Sequence, residues 1–250
     1  MTKYRIQKVE QENIHYLHKG SGAPLVFLHG FGCSPSYYLP LLNHLANKFE
    51  IIAPKMFGIN YLKKQPASIN EYAELVLGFC SSLGVELYCM VGHSLGSIVA
   101  FKTGDILSEY FYLVGMNPVL PVDYDLLGFT TRAIYKNIRE SLGITGGFRA
   151  VLFGNTILLP ALFNLLKNMS ASIGTVKGIR SFTYNDMNVT QPTLILYGEK
   201  DEFFNLDDRV NEQIKCSFAH LTIKRLNKLN HDWPIFHPKL AAQEISDFLG

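Results

Sequence analysis

Between Tyr88 and Ala100 an apolar run, Tyr88-Cys89-Met90-Val91, is broken by Gly92-His93-Ser94-Leu95-Gly96 and resumes at once as Ser97-Ile98-Val99-Ala100. Apolar segments on both sides of a five-residue break bounded by glycines predict a buried strand, a tight turn and a buried helix start. The Gly-x-Ser-x-Gly spacing has a steric reason. A serine on a sharp, strained turn needs small neighbours where the backbone crosses itself. Such a turn lifts the Ser94 hydroxyl clear of a sheet. It also leaves the Leu95 amide at a helix start, where an unpaired N–H and the helix dipole face a developing anion. Ser94 is therefore a candidate nucleophile and Leu95 a candidate oxyanion donor. The same five residues could serve as a glycine-rich turn with a capping serine, so the rest of the chain must decide.

The flanking segments repeat the rhythm. Ile6 to Val9 and Asn13 to His18 read as an N-terminal strand pair, and Pro24 to Leu28 as a short strand buried on both faces. Ser34-Pro35 opens a helix carrying Tyr38, Leu41, Leu42 and Leu45, and Phe49 to Pro54 is the next strand. Ser68-Ile69-Asn70-Glu71 matches a capping box ahead of a helix that presents Tyr72, Leu75, Val76, Phe79 and Leu83 before Gly84 ends it. The strand Glu86 to Val91 leads into the Ser94 turn, the following helix runs to about Leu107, and Phe111 to Met116 is another strand. After an interruption come a strand over Thr193 to Tyr197, a helix over Leu206 to Ile214, a strand over Leu221 to Leu226 and a helix over Pro238 to Leu249. Strands alternating with helices imply crossover units and a mostly parallel sheet flanked by helices, an α/β fold.

The interruption, residues 119–190, reads as helices and loops without a clear strand. Its most apolar part, Ala150 to Leu166, is cut by Gly154, Asn155, Pro160 and Asn164 and falls short of the about 20 residues of a membrane span. At 250 residues, 48% of them hydrophobic, the chain can bury a substantial core. The formal charge of +2 is too small to argue for nucleic acid or an anionic membrane as partner. Residues 1–7 lack the apolar run of a secretory signal. Cys33, Cys80, Cys89 and Cys216 form no Cys-x-x-Cys, so the expectation is reduced thiols in a cytoplasmic protein, with no metal and no cofactor. A monomer and a homodimer are equally compatible with the chain.

A catalytic serine needs a base, and the base needs a carboxylate to hold its tautomer. In an α/β sheet these partners belong on loops after the carboxyl ends of later strands. Asp201, in Gly198-Glu199-Lys200-Asp201, and His231, in Leu229-Asn230-His231-Asp232-Trp233, both stand there. The order Ser94, Asp201, His231 suits this architecture. Glu199 and Glu202 compete as the acid, as do Asp123 and Asp125 near Asn117, and His237 competes as the base. His29 and His93, each before a glycine or beside a tight turn, read as structural residues that bond backbone. Cys33, with no thiolate-stabilising charge nearby, reads as a small apolar filler.

On four features the chain resembles the α/β-hydrolase superfamily. These are His29-Gly30-Phe31-Gly32, the Gly-His-Ser-Leu-Gly elbow, Pro192-Thr193-Leu194-Ile195-Leu196-Tyr197-Gly198-Glu199-Lys200-Asp201, and the late histidine with Pro238 seven positions on. The resemblance covers nearly everything outside 119–190. It implies Asp201 as the acid, a second oxyanion amide from Phe31, a core of residues 1–118 and 191–250, and a helical cap over 119–190. Two departures stand out. Lys55 occupies a loop position where many relatives are acidic, and Ser97 replaces a common glycine.

The resemblance further implies a serine hydrolase of carboxylesterase type, cleaving an ester or thioester of a small hydrophobic acyl substrate through an acyl-enzyme. Serine in place of aspartate argues against the superfamily's dehalogenase and epoxide-hydrolase chemistries. More Lys and Arg than Asp and Glu in 119–190 argues against an aminopeptidase, which would hold an ammonium. A C–C bond hydrolase with the same triad and a non-catalytic binding protein on the same scaffold are the alternatives.

Overall fold

The computed structural model describes residues 4–57, 61–63, 65–120, 182–204 and 206–250. Its eight strands are β1 Arg5–Val9, β2 Glu12–Lys19, β3 Ala23–Leu28, β4 Phe49–Pro54, β5 Cys89–His93, β6 Tyr112–Met116, β7 Thr193–Gly198 and β8 Leu221–Leu226. They form one sheet in the order β1-β2-β4-β3-β5-β6-β7-β8. β1 and β2 pair antiparallel and join β4 antiparallel, while the other neighbours run parallel. β3 is followed in sequence by the strand on one side of it and later by β5 on the other. The chain therefore switches direction between β3 and β5, the position in an open α/β sheet where the loops leaving the carboxyl ends generally form the ligand site.

Among the described residues the α-helices are α1 Leu39–Leu45, α2 Ile69–Ser82, α3 Leu95–Ile106, α4 Asp208–Lys215, the single turn α5 Trp233–Phe236, and α6 Pro238–Leu249. Alternation along the strands feeds two cores. Val26, Leu28 and Met90 pack on one face with Tyr72, Val76 and Phe79 of α2 and Ile98 and Phe101 of α3. Leu25, Phe27 and Val91 pack on the other with Leu41 and Leu42 of α1, Trp233, and Ala241 and Ile245 of α6. The central strand β5 is buried at every position.

Three expected boundaries move for identifiable reasons. Residues 35–45 do not form one helix. Pro40 has no N–H to donate, so a 3-10 turn over Pro35–Tyr38 precedes α1. β5 begins at Cys89, not Glu86, because its partner β3 pairs with it only from Leu25 onward, and it continues to His93 against Met116. α4 starts at Asp208 because the Asp207 carboxylate accepts the Val210 amide at 2.8 Å. The Ser68 cap is present, its hydroxyl accepting the Glu71 amide at 3.2 Å. The Glu71 carboxylate reaches back one residue further than expected, to the Ala67 amide at 3.0 Å.

Of the cap expected over 119–190, residues 121–181 lie outside the described residues. Both ends of that segment are anchored in the core. The buried Tyr184 hydroxyl donates to the Val119 carbonyl at 2.8 Å, and Val189 bridges to Phe218. No helix among the described residues is long and apolar enough to cross a membrane. Cys33, Cys80 and Cys89 are buried and Cys216 is exposed, and none of the four is in a disulfide.

Candidate active site

Ser94 sits between β5 and α3 with φ 53° and ψ −119°, a conformation that costs a non-glycine residue about 1–3 kcal/mol. The flanking glycines show why the turn needs them. A Cβ on Gly92 would lie 2.3 Å from the Gly96 carbonyl oxygen, and one on Gly96 would lie 2.2 Å from the Leu28 carbonyl oxygen. The elbow is thus stacked directly on the end of β3. Its amide donates to the Met116 carbonyl at 3.0 Å, and the buried Ser97 hydroxyl donates to the same carbonyl at 3.2 Å. Serine at position 97 is therefore a tie between α3 and β6, which a glycine could not supply.

The Ser94 hydroxyl makes no hydrogen bond to any described residue. Contacts of this kind are often open in a resting site and tighten on the substrate complex. The Leu95 and Phe31 amides likewise find no acceptor among the described residues; Leu95 follows the serine directly, and a Cβ on Gly30, the neighbour of Phe31, would stand 3.4 Å from the Ser94 Cβ.

The Phe31 loop is shaped from within by His29. Its Nε2 accepts the Met56 and Phe57 amides at 3.2 and 3.4 Å, so its Nδ1 carries the hydrogen donated to the Gly30 carbonyl at 2.8 Å. Burial pushes the ring down to about 3, with the positive field of Lys55 also lowering it, so it stays neutral. The Gly32 amide adds a bond to the Phe57 carbonyl at 2.7 Å. Lys55 itself lies over the Tyr61 ring at 4.1 Å, and partial burial lowers its pKa.

Asp201 and His231 meet at this edge. The Asp201 Oδ2 accepts the His231 Nδ1 hydrogen at 2.7 Å, and its Oδ1 accepts the Phe203 and Phe204 amides at 2.8 and 3.1 Å. The carboxylate side chain is wholly buried. Three donors meet the two oxygens of this carboxylate, and its Oδ2 holds the hydrogen of His231 on Nδ1. The Phe203 and Phe204 rings lie 5.0 and 5.5 Å from the imidazole and screen it from water. Gly198 lets the acid loop nest against the histidine loop, since a Cβ there would stand 2.6 Å from the Leu229 carbonyl oxygen.

The competing residues do other things. Glu202 accepts the His231 backbone amide at 3.1 Å, whereas Glu199 and His237 are exposed. Asp123 and Asp125 lie outside the described residues. Asn117, in the left-handed region at φ 42°, uses both ends of its amide. Nδ2 donates to the Asn230 and His231 carbonyls at 3.0 and 3.1 Å, and Oδ1 accepts from the Gly198 amide at 2.7 Å and from Trp233 Nε1 at 3.3 Å. In the sequence Asn117 stands out only as the residue near which Asp123 and Asp125 compete as the acid. A polar residue ending an apolar strand was the one available sign of a clamp.

His93, His231 and Asp232 bring ligand-type atoms within 4.8 Å of one another. Both ring nitrogens of His93 are engaged, Nδ1 with the Tyr38 hydroxyl at 2.7 Å and Nε2 with the His231 carbonyl at 3.0 Å. An ion would have to dismantle those bonds, so the trio does not fit a metal centre.

Known proteins share this arrangement of elements. The chain is 22% identical to an uncharacterized hydrolase, YugF, of Bacillus subtilis, over 96% of each. It is 28% identical to haloalkane dehalogenase 2 of Mycobacterium tuberculosis over 76% of each. Among solved structures, a serine hydrolase involved in carbazole degradation, the CarC enzyme, superposes with a TM-score of 0.77 at 20% identity, over 99% of this chain and 98% of that one. The model of the alpha/beta hydrolase family matches residues 25–244, from β3 into α6, and the chain belongs to that family.

Proposed function

We propose that this hydrolase cleaves a carboxylic ester or thioester of a small hydrophobic acyl substrate, with Ser94 as nucleophile, His231 as base and Asp201 as the acid that holds it. The observation that carries the reading is the buried Asp201–His231 pair, whose 2.7 Å bond holds the imidazole hydrogen on Nδ1, on loops of the same sheet that carries Ser94 on its strained turn. In the first half-reaction Ser94 Oγ bonds to the substrate carbonyl carbon while its proton passes to His231 Nε2. The carbonyl oxygen becomes an oxyanion facing the Phe31 and Leu95 amides. As the tetrahedral species collapses, the C–O or C–S bond to the leaving group breaks and that group takes the proton from His231. Water then repeats the sequence on the acyl-Ser94 ester, releasing the acid and restoring the hydroxyl. General acid–base transfer contributes about 10²–10⁴-fold and one oxyanion donor about 3 kcal/mol.

Chemistry separates this reading from that of the dehalogenase relative. Displacing halide with a serine oxygen would leave an alkyl ether, which water does not cleave, so turnover would stop after one event. An acyl-serine ester has a carbonyl for water to attack. The cap over 119–190 is the proposed selector of the acyl group. Initial rates on p-nitrophenyl esters of rising acyl length, beside acyl-CoA thioesters and a 1-haloalkane, test the assignment. Turnover confined to the acyl substrates supports it, and sustained halide release without ester hydrolysis overturns it.

A further inference from the structure

Two loops must hold their positions for the proposed chemistry: the one bearing the Phe31 amide and the one bearing His231. A buried chain of hydrogen bonds joins them beneath Ser94. The Gly30 amide donates to the Tyr38 hydroxyl at 3.4 Å, Tyr38 Oη meets His93 Nδ1 at 2.7 Å, and His93 Nε2 meets the His231 carbonyl at 3.0 Å. Tyr38 and His93 are essentially inaccessible to water.

The chain has one possible polarity. A carbonyl only accepts, so His93 Nε2 carries the hydrogen. Burial pushes this histidine down to about 4, helped by the neighbouring His231 ring, so it is neutral and its Nδ1 is bare. The Tyr38 hydroxyl must then donate to Nδ1, and its oxygen is left to accept the Gly30 amide. Burial also holds the Tyr38 phenol well above its ordinary pKa, so that proton stays in place. A Cβ on Gly30 would stand 3.1 Å from His93 Nδ1 and 3.4 Å from Ser94 Cβ, so the oxyanion loop lies against both. At the far end the His231 carbonyl is doubly held, by His93 and by Asn117.

We infer that Tyr38 and His93 are positioning residues that couple the oxyanion loop to the base loop, fixing the separation between the Phe31 amide and the His231 imidazole. The inference rests on the proposed Ser94–His231 reading for its consequence, though not for its geometry. Neither residue touches the reacting atoms. Their effect falls on the alignment of groups that do, where a displacement of about 1 Å can cost about 10²-fold.

The test uses the whole 250-residue chain and four variants of it. Tyr38→Phe removes the hydroxyl and keeps the ring. His93→Gln keeps a donor at the Nε2 position, and His93→Leu removes it. Tyr38→Phe combined with His93→Leu tests whether the two act as one chain. On a p-nitrophenyl ester, kcat falls about 10-fold or more in Tyr38→Phe and further in His93→Leu, with KM within about twofold. His93→Gln recovers most of what His93→Leu loses, and the double variant loses less than the product of the single losses. A role in packing alone would give neither the recovery nor the kcat-selective loss. Independently of activity, ¹⁵N imidazole spectra of the resting protein report His93 as the neutral Nε2–H tautomer between pH 6 and 8. Wild-type-like kcat in folded Tyr38→Phe and His93→Leu, or an Nδ1–H tautomer for His93, overturns the coupling. If the wild-type protein hydrolyses no ester, the catalytic reading fails on that result, and the tautomer alone then sustains or overturns the relay.

Discussion

Asp201 shows how much one side chain does here. It is wholly buried, takes three hydrogen bonds, and sets which nitrogen of His231 carries the hydrogen. Asp201→Asn keeps an oxygen for the Phe203 and Phe204 amides but turns an NH₂ towards His231, which favours the wrong tautomer. The expected result is a fall in kcat of about 10³–10⁴-fold with little change in KM or in the urea midpoint, read from steady-state rates and an unfolding curve. Ser94, His231 and Asp201 stand out in the sequence as candidates because a serine between glycines, a late histidine and a loop carboxylate are chemically distinctive, and strand ends are marked by glycine and polar residues. Tyr38 was legible only as a core residue, since periodicity reports which face a ring takes and not what its hydroxyl meets. Glu202 could be weighed as an acid, but its bond to the His231 backbone amide depends on how two loops nest, and no local pattern encodes that.

At the scale of elements, the elbow works because β3, β5 and α3 approach without side chains between them. Gly96 lies against the Leu28 carbonyl, and a methyl group placed there has only backbone to displace. Gly96→Ala should therefore destabilise the fold by about 3 kcal/mol, lowering the thermal midpoint by several degrees, and should cut activity with it. A midpoint unchanged from wild type would mean the stack is looser than described. The wholly apolar strands and the amphipathic helices could be read directly, because period 2, period 3.6 and glycine stops are local signals. Their ends could not. β5 is cut by the extent of its partner β3, and the helix expected from Pro35 splits at Pro40, a consequence of one missing N–H that the apolar pattern runs straight through.

For the whole molecule, two buried neutral histidines tie stability to pH. His29 titrates at about 3 and His93 at about 4 in the fold, against an ordinary value of 6.5. Between those values the unfolded chain binds protons that the folded one does not. Stability is therefore complete above about pH 6.5 and is lost as pH falls towards 4 and then 3. At pH 5 each histidine should cost ~2 kcal/mol relative to pH 7.5, and urea unfolding at the two pH values measures it through the midpoint. In His93→Gln the pH dependence should be smaller. Covalent labelling tests whether Ser94 is the activated nucleophile proposed for it. A fluorophosphonate probe should modify the folded protein to about one equivalent, with the adduct mapped by mass spectrometry to Ser94 and absent in Ser94→Ala. A folded wild-type protein that takes up no probe, or an adduct on another residue that persists in Ser94→Ala, would contradict it and leave a binding protein on a hydrolase scaffold.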